Sequence, residues 1–99
     1  MALEITLQNG AYEISGDFTG INNHKVKAHF NYLLDHYQEV VLCLKKVSKI
    51  DKRGIKVLQI IHKKATKRSK TLFVLGKENE YISSLLAQTE NLHIFRNDY

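Results

Sequence analysis

Leu3, Ile5 and Leu7 alternate with polar residues, the period of two that a strand with one buried face requires. Asn9-Gly10 follows, a pair in which both residues tolerate positive φ, and Tyr12 and Ile14 resume the alternation beyond it. This pattern predicts a hairpin ending near Gly16, with Gly20 closing a short connection. Val26, Phe30, Leu33, Leu34 and Tyr37 then recur at i, i+4, i+7, i+8 and i+11, one face of an amphipathic helix, which Asn22 or Asn23 is placed to cap.

Val40-Val41-Leu42-Cys43-Leu44 is an unbroken apolar run of five, rich in β-branched residues, and predicts a strand buried on both faces, as in a parallel sheet. A polar stretch leads to Asp51, a natural N-cap for a second helix over about 53–68, whose inner face is Ile55, Leu58, Ile61 and Ala65. Residues 71–75 repeat the buried-strand pattern and stop at Gly76; Tyr81, Ile82, Leu85 and Leu86 mark a third helix over about 78–88. Leu92, Ile94 and Phe95 predict a short final strand. The expected architecture is therefore α/β in one domain spanning 1–99: an opening hairpin, then βαβαβ units. The sheet should be mostly parallel, of about five strands, with helices mainly on one face.

Ninety-nine residues suffice for one small core, and 43% hydrophobic with 25% charged residues is ordinary globular composition. Charge changes the picture more. The net +5 conceals eleven cations and one acid within residues 45–70, a local +10, while the remainder carries −5. Such a segment favours an acidic or anionic partner over general adhesion. Nucleic acid is disfavoured as that partner, because no aromatic residue for base stacking is interleaved between Lys45 and Lys70. An anionic membrane surface suits lysines, but no exposed apolar stripe accompanies them.

Enzyme chemistry has little support. Cys43, the single cysteine, excludes an internal disulfide and a multi-cysteine zinc site, and inside an apolar strand it reads as an inert buried thiol. His24, His29, His36, His62 and His93 lack close ligand spacing, Asp35 and His36 diverge on a helix, and Ser83-Ser84 has no evident activating base. No glycine-rich phosphate loop is present, so neither a cofactor nor a metal is expected. No signal peptide or membrane-length apolar run is visible, which makes the cytoplasm the default expectation.

The segment VVLCLKKVSKIDKRGIKVL, residues 40–58, resembles the central signature of STAS domains, the family of bacterial anti-sigma factor antagonists. In that family a buried strand ends near an Asp or Asn, and Asp-Ser-Ser/Thr-Gly-Leu opens the next helix; here Ile50-Asp51-Lys52-Arg53-Gly54-Ile55 stands at that junction. Ile14-Ser15-Gly16-Asp17-Phe18 looks like the family's Leu-x-Gly-x-Leu/Phe region, and residues 71–95 match its last third in element order. The resemblance implies a non-catalytic interaction domain whose partner is an anti-sigma factor of histidine-kinase type, a phosphatase-linked regulator or a larger signalling assembly. A second implied role is an accessory subunit on the cytosolic face of a membrane transport complex. Where switched members carry a phosphorylated serine, this chain has Lys52, followed by Arg53, and Cys43 replaces the polar residue near the strand end.

The expected partner surface is thus the 48–56 loop and helix start: Ser48, Lys49, Asp51, Lys52, Arg53 and Lys56, with Lys45, Lys46, Lys63 and Lys67 as a wider basic patch. Two readings stand for Lys52 and Arg53. Cations at a helix N-terminus oppose the macrodipole, so either both side chains extend into water, or they converge with backbone N–H groups on an anion.

Overall fold

The computed structural model describes residues 2–99. The elements are β1 (Glu4–Gln8), β2 (Ala11–Phe18), α1 (Asn22–His36), β3 (Glu39–Ile50), α2 (Lys52–Lys67), β4 (Thr71–Leu75) and α3 (Glu80–Gln88), followed by a 3₁₀ turn at Leu92–Ile94. The four strands lie in the order β1-β2-β3-β4; β1 runs antiparallel to β2, and the other two pairings are parallel. The hairpin forms where the pattern places it: Gln8 pairs with Ala11, and Asn9 and Gly10 both take positive φ, at 51° and 82°.

One face of the sheet holds the core. Ile14 and Phe18 of β2, Leu42 and Leu44 of β3, and Leu72 and Val74 of β4 pack with residues from all three helices, among them Phe30, Leu58, Ile61, Ile82 and Leu86. The other face is covered differently. Phe73 meets the Tyr99 ring at 5.3 Å and the Arg96 guanidinium at 5.0 Å, so the C-terminal tail lies over β4 instead of a helix. On this face Val41 is buried but Cys43 only partly so; the strand that reads as buried on both faces is fully buried on one.

Four local expectations are revised. The final strand is replaced by the 3₁₀ turn and a single antiparallel bridge, in which Val74 and Arg96 exchange N–H···O bonds of 2.9 and 3.0 Å. Leu92, Ile94 and Phe95 mimic alternation because Ile94 turns into the core while Leu92 stays exposed. Neither Asn22 nor Asn23 caps α1; Ile21 stands at the cap, Asn22 Nδ2 donates to the Asp17 carbonyl, and Asn23 is committed elsewhere. Tyr37 is the exposed C-cap of α1 and not part of its inner face.

The fourth revision matters most for function. β3 does not stop at Leu44 but runs on to Ile50, so residues 48–50 are strand and Asp51 alone separates β3 from α2. The continuation is hidden in the sequence because its buried residues, Leu44, Val47 and Ile50, recur every third position. A register shift causes this: Glu13 pairs with Cys43 but Ser15 pairs with Lys46, the signature of a bulge in β3. Beyond Leu75, where β4 ends, α3 supports the free side of β3. Asn79, the α3 cap, donates its Nδ2 to the carbonyls of Leu44, Lys45 and Val47 at 3.1–3.2 Å, and the Tyr81 hydroxyl lies 3.3 Å from the Ile50 N–H.

Gly54 makes the turn from β3 into α2 sterically feasible. A Cβ there would stand 2.7 Å from both the Phe18 carbonyl oxygen and Ile50 Cγ1. Helix propensity alone favours alanine over glycine by about 1 kcal/mol. We expect Gly54→Ala to reverse that sign and destabilise the fold by about 1–3 kcal/mol through overpacking. Urea denaturation checks it; a midpoint equal to or above wild type would show that the helix start can shift away.

Candidate functional site: the junction of β3 and α2

Asp51 is the geometric centre of the junction. Its Oδ1 accepts from the Gly54 N–H at 2.8 Å, capping α2, and from Asn23 Nδ2 at 3.0 Å; its Oδ2 accepts from the Gly20 N–H at 3.1 Å. One carboxylate therefore joins the end of β3, the start of α2 and the start of α1. Burial acts to raise its pKa, but the donors at Gly20, Gly54 and Asn23 outweigh it and hold the carboxyl below its ordinary value.

Lys52 and Arg53 open α2 with no acid in its first turn. They do not converge. Arg53 lines a cleft of about 180 Å³ between the starts of the two helices, with Asn23, His24 and Lys27 from α1 and Lys56 and Val57 from α2. Lys52 lines a separate, shallower cleft of about 270 Å³ on the neighbouring side of α2, with Gln59, Thr89 and Asn91. Lys56 borders both. Adjacent helical positions point about 100° apart, which separates the two side chains despite their neighbouring numbers. Of the expected pair, Lys52 shares its cleft with a single cation among the described residues, Lys56, whereas Arg53 has Lys27 and His24 beside it as well. Those partners, Lys27 and His24, sit outside the basic segment and carry no signal in the sequence beyond belonging to the exposed face of α1.

The basic segment is also less uniform than its composition implies. Glu13 pairs with Lys46 at 3.3 Å, and Asp35 of α1 pairs with Lys64 at 2.8 Å and Arg68 at 3.3 Å. Acids from elsewhere in the chain thus compensate three of the eleven cations. These contacts also hold the Asp35 carboxyl below its ordinary value, the Lys64 hydrogen bond contributing most. Lys45, Lys46 and Ser48 border a shallow depression that also contains Glu78 and Glu80, a surface of mixed charge. Among the described residues, Lys45, Lys49, Lys52, Arg53, Lys56, Lys63, Lys67 and Lys70 enter no ion pair, and six of these eight lie from Lys49 to Lys67. The uncompensated charge is therefore concentrated at the β3 end and along the exposed side of α2.

Among the described residues His29 and His36 do not gather into one site: His29 packs edge-on against Tyr12 and Phe30, whereas His36 stacks on Tyr32 at 4.0 Å. His62 and His93, distant in sequence, do meet, with ring centroids 5.5 Å apart; burial, and secondarily the neighbouring His93, lowers the His62 pKa. Among the described residues no three histidine, cysteine, aspartate or glutamate side chains cluster to hold a metal. No helix among the described residues is long and apolar enough to cross a membrane.

The strand-to-helix junction capped by Asp51, the glycine three residues later and the parallel sheet with its opening hairpin agree with a comparison at the level of families. The STAS domain model matches residues 1–97. The chain belongs to the STAS family. No individual curated protein matches it. STAS domains are in general non-catalytic binding domains that mediate protein–protein interactions, of the kind found in anti-sigma factor antagonists and in association with sulfate transporters.

The triple bonding of Asp51 has a measurable signature. We expect Asp51→Asn to destabilise this STAS domain by about 1–2 kcal/mol at pH 7, since it removes the charge from the cap and, with the amide oxygen kept on Gly54 and Asn23, sets an NH2 group against the Gly20 N–H. Because the folded-state pKa is depressed, the charged cap contributes fully above the unfolded-state value and is lost as pH falls through the folded-state value. The stability gap between wild type and Asp51→Asn, measured by urea denaturation from pH 7 downwards, should therefore close in acid. A gap constant with pH would refute the charged cap.

Proposed function

We propose that this STAS domain is a non-catalytic regulatory module that binds an acidic protein surface through the end of β3 and the first turns of α2, in the manner of an anti-sigma factor antagonist. The observation that carries this reading is the placement of unpaired charge: Lys49, Lys52, Arg53 and Lys56 flank Asp51, and none enters an ion pair among the described residues. Two of them oppose the helix dipole at the N-terminus of α2, an arrangement that folding alone does not favour. A partner carboxylate cluster would offset that repulsion and gain steering from the field. Ser48, expected in the partner loop, lies on β3 beside Glu78 and Glu80 and belongs to the margin of this surface.

In the resemblance, the residue after the capping aspartate is the phosphorylated serine of switched family members. Here it is Lys52, a cation in the place where a phosphate would add about two negative charges. Association is accordingly under no phosphate control at this position and depends on ionic strength instead. A histidine-kinase-like anti-sigma factor or another signalling protein with an acidic docking face fits this chemistry, and the cytoplasm is where such a partner operates.

Affinity capture from the native cell extract tests the reading. We expect the wild-type domain to retain a protein with an acidic surface, and Lys52→Glu/Arg53→Glu to weaken that complex by about tenfold or more, with the melting temperature little changed. Equal retention by the double variant would refute it. Co-purification with membranes that withstands high salt would instead favour the accessory-subunit role in a transport complex.

A further inference from the structure

The two edges of the sheet differ. On the β4 side, Val74 exchanges backbone hydrogen bonds with Arg96, and the tail continues over Phe73. On the other side, β1 has β2 as its one sheet neighbour, and among the described residues no backbone hydrogen bond outside that ladder reaches residues 4–8. The direction of its backbone groups follows from the turn. A two-residue turn is closed by a pair bonded in both directions, here Gln8 and Ala11, and alternation then aims the N–H and C=O of Gln8, Thr6 and Glu4 at β2. Those of Ile5 and Leu7 face outward, without a strand to bond.

Soluble domains protect such an edge with lysine, proline, a bulge or a covering segment. β1 pairs with β2 through five residues without a register shift, residues 1–18 contain no lysine, arginine or proline, and Leu7 is 59% exposed. Leu7 is also not an isolated apolar residue. It stands opposite Tyr12, whose ring meets His29 of α1 at 5.6 Å, so an apolar strip adjoins the edge on the helix-covered face of the sheet.

The residue pattern of β1 selects the occupant. Glu4-Ile5-Thr6-Leu7-Gln8 reads alike in both directions: polar, apolar, polar, apolar, polar. A second β1 laid antiparallel about a two-fold axis at Thr6 sets Ile5 of each copy against Leu7 of the other. Both pairs use the outward backbone groups, forming about four N–H···O bonds in all. Glu4 of each copy meets Gln8 of the other, so the two carboxylates lie at opposite ends of the contact. The neighbouring registers are worse. An axis at Leu7 would pair Ile5 with Asn9, whose φ of 51° is not extended; an axis at Ile5 would pair Leu7 with Leu3, which is buried and precedes the strand.

We propose that β1 is a self-association edge: two copies of this STAS domain pair β1 to β1, antiparallel about Thr6, into one continuous sheet with both helix layers on the same face. Asp51, Lys52 and Arg53 lie outside this strand, so the proposal is independent of the acidic-partner reading.

Five residues a side make a small interface, so the dimer is weak, with a dissociation constant on the order of 100 µM. Sedimentation equilibrium of the full-length chain, from about 10 µM to about 1 mM, should show a reversible monomer–dimer transition. Leu7→Lys supplies the absent edge lysine at an exposed position and should weaken the dimer about tenfold or more. Ile21→Lys, at an exposed position away from the edge, should leave it unchanged. Crosslinking reads the register. The two-fold brings the two Thr6 Cα atoms to about 4.5 Å, within reach of a disulfide. Thr6→Cys in the Cys43→Ser chain should therefore oxidise to a covalent dimer at least about tenfold faster than Gln8→Cys in the same chain. A monomer across the whole range would overturn the proposal, whether or not unrelated peptides pair with the edge. A dimer indifferent to Leu7→Lys, or equal crosslinking from positions 6 and 8, would overturn it as well.

Discussion

Every element of the functional face depends on one carboxylate. Asp51 bonds to the N–H groups of Gly20 and Gly54 and to the Asn23 amide, so the same group ends β3, starts α2 and anchors the entry to α1. A cap usually satisfies the termini of one helix. Here two helix starts are fixed to a common point, which sets the distance between them and so creates the cleft they enclose. Removing the charge would loosen both walls together. Asn79 performs a related task on the opposite side of β3: while capping α3 it also bonds three β3 carbonyls, and the extended strand end is thus held from two directions.

That rigid frame bears a charge pattern which folding does not explain. Asp35 and Glu13 neutralise Lys64, Arg68 and Lys46, and the last turn of α2 carries Lys64 and Lys67, where cations suit the dipole. Lys52 and Arg53 at the other end have neither advantage. The contrast lies within a single helix and uses the same residue types, so it cannot be attributed to a generally basic composition. It separates cations that have a role in the fold from cations for which the fold supplies no counter-charge.

Much of the fold was legible from periodicity. The hairpin turn, the inner faces of the helices apart from Tyr37, and the Asp51 cap lie where alternation and capping chemistry place them, because each is decided by neighbours within a few residues. What was hidden depends on partners far along the chain. The extension of β3 to Ile50 is held by a bulge against β2 and by Asn79 and Tyr81, so its buried residues fall at intervals of three and imitate a loop. The final strand failed for the converse reason: Leu92 and Ile94 have a strand's spacing within a 3₁₀ turn. At the site, the one-dimensional count placed Lys52 and Arg53 together because they are adjacent, whereas the helix sends them into different clefts.

Asn23 shows why such a site resists detection in sequence. As a residue near a helix start it reads as a cap, and in composition it is merely polar. Only the fold sets its amide against Asp51, and that contact decides both what the nitrogen does and what the oxygen lacks. Had Asn23 capped α1, its oxygen would have been satisfied within its own helix. By bonding across to the end of β3 it leaves α1 without a side-chain cap, with Ile21 exposed in that place. The domain thus forgoes a local stabilising interaction to tie the two helix starts together. The unsatisfied oxygen and the exposed isoleucine at the cap position are two consequences of that one choice.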